Sequence, residues 1–326
     1  MSRGHLSLGP TVAFRAPGRI NIIGEHTDYN LGLVMPAAID RWCTVRARTN
    51  GARRLRVRSS AFAGAVDLDL DALTNTGTWS AYVAGVAFVL ARAGVALVGA
   101  DLEIDSDVPV GAGISSSAAL EVATVRALLA LAGETADGTQ VAHWAREAEN
   151  DFVGIPCGIM DQFASANGVA GAAMMLDCRT LEATPVPVPT SARFLVVNSM
   201  QPHVHAGGEY AARRADCEAA ARLLGIQTLR DLDEADLPRA LPRLPQGLGR
   251  RARHVVTENA RVRLAATAMS AGDLRALGGL INASHASLRD DMRVSLPMID
   301  ALAEIAQATA GVYGARVMGG GFGGCV

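Results

Sequence analysis

Two rhythms of apolar and polar residues run along this chain. From Thr11 to Asn21 the pattern is strand-like, with a turn expected at Ala16-Pro17-Gly18. Val34 to Arg48 predicts further strand, carrying Val34, Ile39, Trp42, Thr44 and Val45, and Leu102–Ser106 a short one. Helical spacing governs Trp79–Ala93, with Tyr82, Val83, Val86, Val89 and Leu90 on one side. It governs Ser116–Ala132 through Val122, Val125, Leu129 and Ala132, and Thr139–Asn150 through Val141, Trp144, Ala145 and Ala148. Phe194-Leu195-Val196-Val197 is wholly apolar and predicts a strand buried on both faces. Helices are predicted again over Glu209–Leu224, Arg253–Ala271 and Ile299–Ala310, with Pro238, Pro242, Pro245, Gly247 and Gly249 breaking the chain between the first two. Strands and helices mix throughout, which defines an α+β class.

Composition narrows the reading. At 326 residues the chain holds one large domain or two ordinary ones, and 50% hydrophobic with 19% charged residues excludes disordered and fibrous classes. A net charge of −2 argues against gripping nucleic acid or anionic lipid through bulk charge. All 30 basic residues are arginine. That excludes a Walker-A loop, a protein-kinase strand lysine and a Schiff base, each of which needs lysine. Five cysteines, odd in number and without a C-x-x-C pair, fit reduced thiols in a cytoplasm. Met1-Ser2-Arg3-Gly4-His5 leads into no apolar stretch, so no signal peptide is expected. The most apolar stretch, Tyr82–Ala100, is interrupted by Gly85, Arg92 and Gly94 and reads as a buried helix rather than a membrane span.

Four segments concentrate chemistry. In the first, Arg19, Glu25, His26 and Asp28 crowd a short run with two glycines, Gly18 and Gly24. Such a set supplies acceptors and charged donors for sugar hydroxyls, or else forms a solvated turn with a local ion pair. The second is Gly111-Ala112-Gly113-Ile114-Ser115-Ser116-Ser117, a glycine-rich turn opening directly into a helix. Helix N–H groups and close backbone approach favour an anion there, and the serines can cap the helix, bind phosphate or ligate a hard cation. In the third, Gly319-x-Gly321-x-x-Gly324 matches the dinucleotide fingerprint literally, but no helix follows it. It reads as backbone that approaches a ligand or loop closely, or as a flexible tail. In the fourth, Glu149 ends a helix, and Asp161 follows a Gly-Ile-Pro-Cys-Gly turn beside Ile159, Met160 and Phe163. A carboxylate in that company is a cap or a tuned base.

Together these segments resemble the galactokinases, within the family of small-molecule kinases named for galacto-, homoserine, mevalonate and phosphomevalonate kinases. Gly18 to Tyr29 is similar to the galactokinase signature without a gap, Pro109 to Ala118 to the phosphate loop, Gly154 to Phe163 to the segment bearing a catalytic aspartate, and Gly319 to Cys325 to the third family motif. Weaker matches fall at Glu209-Tyr210-x-x-Arg213-Arg214, Arg253-His254-Val255-Val256-x-Glu258-Asn259 and Ser284-His285-x-Ser287-Leu288-Arg289. The resemblance implies a two-domain α+β fold, 1–185 and 186–326, with the active site in the interdomain cleft. It implies transfer of the γ-phosphoryl of ATP to O1 of galactose with Mg²⁺. By position it makes Asp161 the base and Arg19 its neighbour, which would keep it ionised and stabilise charge on the transferring group. Ser117 and Glu149 would ligate Mg²⁺; Glu25, His26, Asp28, Gly158 and Tyr210 would contact sugar. Gly111, Ala112, Gly113, Ile114, Ser115, Ser116 and Ser117 would cradle ATP phosphates, with Trp79 near the adenine.

The resemblance leaves N-acetylgalactosamine, L-arabinose or a non-enzymatic galactose sensor as alternatives, although the sensors lose serine-loop residues that Ser115-Ser116-Ser117-Ala118 retains. A cytoplasmic monomer without nucleic-acid or membrane partners is expected. Departures are Asn150, where histidine is common, and Val204-His205, where Ser-Leu is usual. His203-x-His205 is read as chance rather than metal. Relatives continue beyond the third motif with a further strand and helix, whereas this chain stops at Val326. A truncated C-terminal domain, an exposed sheet edge, uncovered apolar surface and lower stability are the expected consequences.

Overall fold

The structure, a computed structural model, describes residues 11–201 and 206–326; Met1–His5, His203, Val204 and His205 lie outside the described residues. In chain order the elements begin with strands β1 (Val12–Asn21), β2 (Leu33–Val34), β3 (Pro36–Thr49), β4 (Arg54–Ser59) and β5 (Phe62–Asp69). Then come helix α1 (Ser80–Arg92), strand β6 (Ala100–Ser106), and helices α2 (Ser116–Ala132), α3 (Gly138–Glu147) and α4 (Met160–Asn167). Strands β7 (Ala172–Asp177) and β8 (Ala183–Pro187) precede helices α5 (Ala206–Leu224), α6 (Leu237–Ala240), α7 (Gln246–Ser270), α8 (Leu274–Ser287) and α9 (Pro297–Ala308). No described helix is long and apolar enough to cross a membrane.

The chain divides into two compact units. The first comprises residues 1–18, 39–109 and 115–167; the second comprises 19–38, 110–114 and 168–326. Most of a five-stranded sheet, ordered β1-β3-β6-β4-β5, belongs to the first. Its inner face is apolar at Val45, Leu55, Val57, Leu102 and Ile104. On its outer face, Arg48 lies across from Asp101, Asp101 from Arg56, and Arg56 from Asp67. The alternating signs give each strand an opposite-charge neighbour, which disfavours slipped registers. Helices α1 to α4 pack on one another, α2 touching each of the other three.

The second unit carries a three-stranded antiparallel sheet, β2-β7-β8, with α7 against it. A core of Cys217, Leu229, Val255, Leu288, Met292 and Ile299 fills the space among its helices.

Several expectations need correction. β1 runs straight through Ala16-Pro17-Gly18; it is an edge strand, where a proline's missing N–H costs no ladder bond. The helix expected to reach Asn150 changes winding after Glu147 and continues as a π-helical turn, Ala148–Val153. Gly247 and Gly249 do not break the chain but lie in the first turn of α7, which starts directly after Pro245.

Phe194–Val197 is not a buried strand. Its residues are 38–83% exposed, and among the described residues their one ladder is to 326, where Val197 and Val326 exchange backbone hydrogen bonds of 2.8 and 3.0 Å. A wholly apolar run carries no information about which face is covered, and among the described residues no strand lies on its other side. The helix α8 and the strands β4, β5, β7 and β8 were not anticipated.

Candidate active site

In the first unit, α2 begins at the serine loop. Ser115 stands just before the helix with φ +66° and makes no side-chain cap bond; its hydroxyl instead donates to Asp161 Oδ2 at 2.5 Å. Asp161 itself lies in the first turn of α4. Two residues further along α2, Ser117 hydrogen-bonds Glu149, which sits in the π-helical turn. Such turns re-aim a side chain out of regular helical register. Glu121, one turn after Ser117 on the same face of α2, is fully buried beside it. The Gln162 amide nitrogen donates to both acids, to Glu149 Oε2 at 2.6 Å and to Glu121 Oε2 at 3.1 Å.

The electrostatics follow from this packing. Burial, and then the charge of Asp161, push the Glu149 carboxyl up to about 7, against hydrogen bonds from Ser117, Cys157 and Gln162. Burial and the neighbouring Glu149 hold Glu121 well above the usual carboxylate range.

In the second unit the signature loop is wholly internal. Arg19, Glu25, His26 and Asp28 are all buried, so the solvated-turn reading fails. Arg19 Nη1 donates to Gly113 O at 2.7 Å, and its backbone N to Ile114 O at 3.1 Å. Within the second unit the glycine half of the loop is thus bonded to Arg19. Glu25 Oε1 accepts from Arg316 Nη2 at 2.9 Å and from the backbone N of Gly319 at 2.8 Å. The terminal glycines are thus pinned rather than a flexible tail. Gly321, at φ +78°, could carry no side chain: a Cβ would stand 2.4 Å from Val294 O.

His26 Nδ1 lies 2.8 Å from the Tyr29 hydroxyl and its Nε2 3.2 Å from Gly320 O. A carbonyl can only accept, so Nε2 carries the proton and Nδ1 accepts from tyrosine. Burial, followed by repulsion from His254, lowers the His26 pKa to about 3 and keeps the ring neutral. Tyr210 packs 5.3 Å from His26 and 5.5 Å from Tyr29, centroid to centroid.

Helix α7 supplies what sequence reading did not assign. His254 Nε2 contacts Glu25 O at 3.0 Å, Glu258 Oε1 accepts from Gly24 N at 3.0 Å, and Asn259 Oδ1 from Leu33 N at 2.7 Å. Spacings of four and one put all three on the face of α7 that holds the signature loop. Glu121, Gln162 and Arg316 were likewise unassigned. The one available signal was Glu121, a lone acid among Ala118, Ala119, Leu120, Val122 and Ala123.

Within the first unit the expected residues Ser115, Ser117, Glu149 and Asp161 come together, with Gly158 buried in the turn before α4. Ser116 is half-buried in the first turn of α2. Trp79 is not joined to them by any described bond; its ring stacks on Phe62 at 5.3 Å and 6°. Within the second unit Arg19, Gly113 and Ile114 form one group, Glu25, His26 and Tyr210 another beside the terminal glycines. Ala112 O accepts from Cys325 Sγ at 3.0 Å, and Gly111 adopts φ +74° in the same loop.

Comparison with known proteins gives these groups a context. The family profile described as GHMP kinases N terminal domain matches residues 81–169, and that described as GHMP kinases C terminal matches 265–326. With a serine loop opening α2 and buried acids beside it, the class is a small-molecule kinase. A mevalonate kinase of Methanococcus jannaschii shares the fold alone, at a TM-score of 0.68 and 16% identity, with 97% of this chain and 90% of that one covered.

The profile described as Galactokinase galactose-binding signature matches residues 7–49. A galactokinase of Roseiflexus is 46% identical over 98% of this chain and 84% of its own length. One of Chloroflexus aurantiacus is 48% identical over 97% and 83%. A Lactococcus lactis galactokinase solved in complex with galactose superposes with a TM-score of 0.93 at 38% identity, covering 97% of this chain and 84% of that one. The chain belongs to the galactokinase family.

Proposed function

We propose that this chain transfers the γ-phosphoryl of ATP to O1 of galactose, with Asp161 taking the hydroxyl proton and Arg19 countering charge on the transferring group. The observation that carries this reading is the 2.5 Å bond from Ser115 to Asp161, which ties the carboxylate to the loop that opens α2. There the first N–H groups of α2 are available to phosphate oxygens, and the positive end of the helix dipole favours their charge. Phosphoryl transfer passes through a loose transition state, so holding the acceptor oxygen in line and spreading charge matter more than strong deprotonation.

Mg²⁺ fits the donor set. Ser117 and Glu149 offer one neutral and one anionic oxygen, hydrogen-bonded to each other. The described residues hold no group of three or more histidine, cysteine, aspartate or glutamate side chains suited to a metal. Two hard protein ligands leave the remaining positions for water and nucleotide phosphate, the usual arrangement for this cation. When bound, the ion neutralises charge developing on the phosphates.

Glu25 and Asp28 supply carboxylate acceptors for sugar hydroxyls, and Tyr210 a ring to pack against the sugar. His26, neutral and engaged at both nitrogens, shapes this group through Tyr29 and Gly320. Five cysteines, odd in number and without a C-x-x-C pair, support a reducing cytoplasm. A coupled ADP-release assay with galactose, N-acetylgalactosamine and L-arabinose, with and without Mg²⁺, tests the reading. Mg²⁺-dependent release with galactose at the highest kcat/KM is expected; equal rates on all three sugars, or none, would contradict it.

A further inference from the structure

We propose that Gln162 is a positioning residue that fixes the Glu149 carboxylate on Ser117 by clamping it to Glu121 on the same helix. The inference rests on the reading of Ser117 and Glu149 as Mg²⁺ ligands. Gln162 is fully buried and directly follows Asp161 in the first turn of α4. A primary amide nitrogen has two hydrogens, and here each meets a different carboxylate, at 2.6 Å on Glu149 and 3.1 Å on Glu121. Glu121 lies one helical turn beyond Ser117 on α2. Glu149 is thereby tied to α2 at two levels, directly through Ser117 and, at Glu121, both by a carboxyl–carboxyl hydrogen bond and through Gln162.

Two features separate this bridge from ordinary packing. Glu149 projects from a π-helical turn, so regular helix geometry does not set its direction and another group must. Among the described residues the bridge also leaves Gln162 Oε1 buried without a partner. An arrangement kept for stability alone would not strand an acceptor in the interior, whereas carboxylates that ligate metals are characteristically oriented by outer hydrogen bonds.

Gln162→Met keeps the length of the side chain and removes its donor. The binding of Mn²⁺ in the presence of a non-hydrolysable ATP analogue, read from the electron paramagnetic resonance signal of free Mn²⁺, is expected to weaken by about 10–100-fold. Half-saturating Mg²⁺ in turnover should rise in parallel while the KM for galactose stays within about twofold, a split that general loosening of the fold would not produce. Glu121→Leu removes only the far acceptor and should weaken Mn²⁺ in the same direction by less; it decides the matter if the methionine variant fails to fold. Unchanged Mn²⁺ affinity in these variants, with loss in Glu149→Gln, overturns the clamp and spares the ligand assignment. Unchanged affinity in Glu149→Gln as well overturns both.

Discussion

Each unit of the molecule buries a pair of glutamates, and the two pairs are held in opposite ways. In the second unit every buried acid of the pair has an arginine. Glu258 accepts from Arg261 at 2.6 Å, from Ser284 at 2.6 Å and from Gly24 N at 3.0 Å; Glu25 accepts from Arg316 and Gly319 N. In the first unit, Glu121 and Glu149 are met by an amide, a hydroxyl, a thiol and each other, and among the described residues neither has a salt bridge. The pKa directions follow. Burial alone would raise Glu258, yet Arg261, His254 and Ser284 outweigh it and hold the carboxyl below its ordinary range. Nothing offsets burial at Glu149 to that degree, and it rises to about 7. Acids paired with arginine pin chain segments together; acids left without one are suited to a cation that arrives with the substrate.

Glutamine substitutions should drive the two regions apart. Glu149→Gln is expected to cut turnover by about 100-fold or more in the ADP-release assay, through loss of the anionic oxygen proposed to hold Mg²⁺. The same variant should melt higher than the parent at pH 8. The folded state keeps the Glu149 proton up to about 7, while the unfolded chain releases it near the ordinary carboxylate value. The unfolded state thus binds fewer protons between those values, and stability falls as pH rises through that window. The substituted amide cannot ionise and escapes that loss.

Glu258→Gln should do the reverse. It leaves Arg261 charged and poorly matched in the interior, a change that costs about 3–5 kcal/mol when one partner of a buried pair is removed. Urea or thermal unfolding would register the loss. Because the Glu258 carboxyl is held low when folded, its contribution is present above the ordinary carboxylate value and disappears as pH falls through its folded pKa. Melting shifts of the same sign in both variants at pH 8 would erase the contrast.

A smaller effect sharpens it further. As the proposed Mg²⁺ ligand, Glu149 would hold either a proton or the ion, so half-saturating Mg²⁺ should fall as pH is raised from 6 to 8, by up to about tenfold per unit below 7. A flat Mg²⁺ dependence over that range would contradict the assignment. Smallest of all, Arg56→Ala on the outer face of the five-stranded sheet should move the melting temperature by no more than about one degree. Its pairing with Asp67 at 3.0 Å is exposed to water and screened by salt.

These differences also mark what could be read from residues alone. α2 was legible end to end because Ser116–Ala132 keeps one helical period and Gly133, at φ +75°, stops it. The π-helical turn was not, since Ala148–Val153 follows the preceding helix without a break in period. Arg54-Leu55-Arg56-Val57-Arg58 alternates strictly, so the signal for β4 was present and passed over. Asp161, Glu149 and Ser117 were singled out through the resemblance of their segments to the kinase motifs; by themselves the residues left Asp161 open between a cap and a base. What buries the signature loop was invisible locally: His254, Glu258, Asn259 and Arg316 lie more than 220 positions away in the chain from the groups they hold. Four polar residues in one short loop look solvated until a distant helix closes over them.

The most direct test of the account is turnover by Asp161→Ala, measured as ADP release at saturating galactose and ATP alongside nucleotide binding by calorimetry. The account predicts that turnover falls by about 10³-fold or more while ATP affinity stays within a few-fold of the parent. Turnover within tenfold of the parent, with the fold intact, would contradict it.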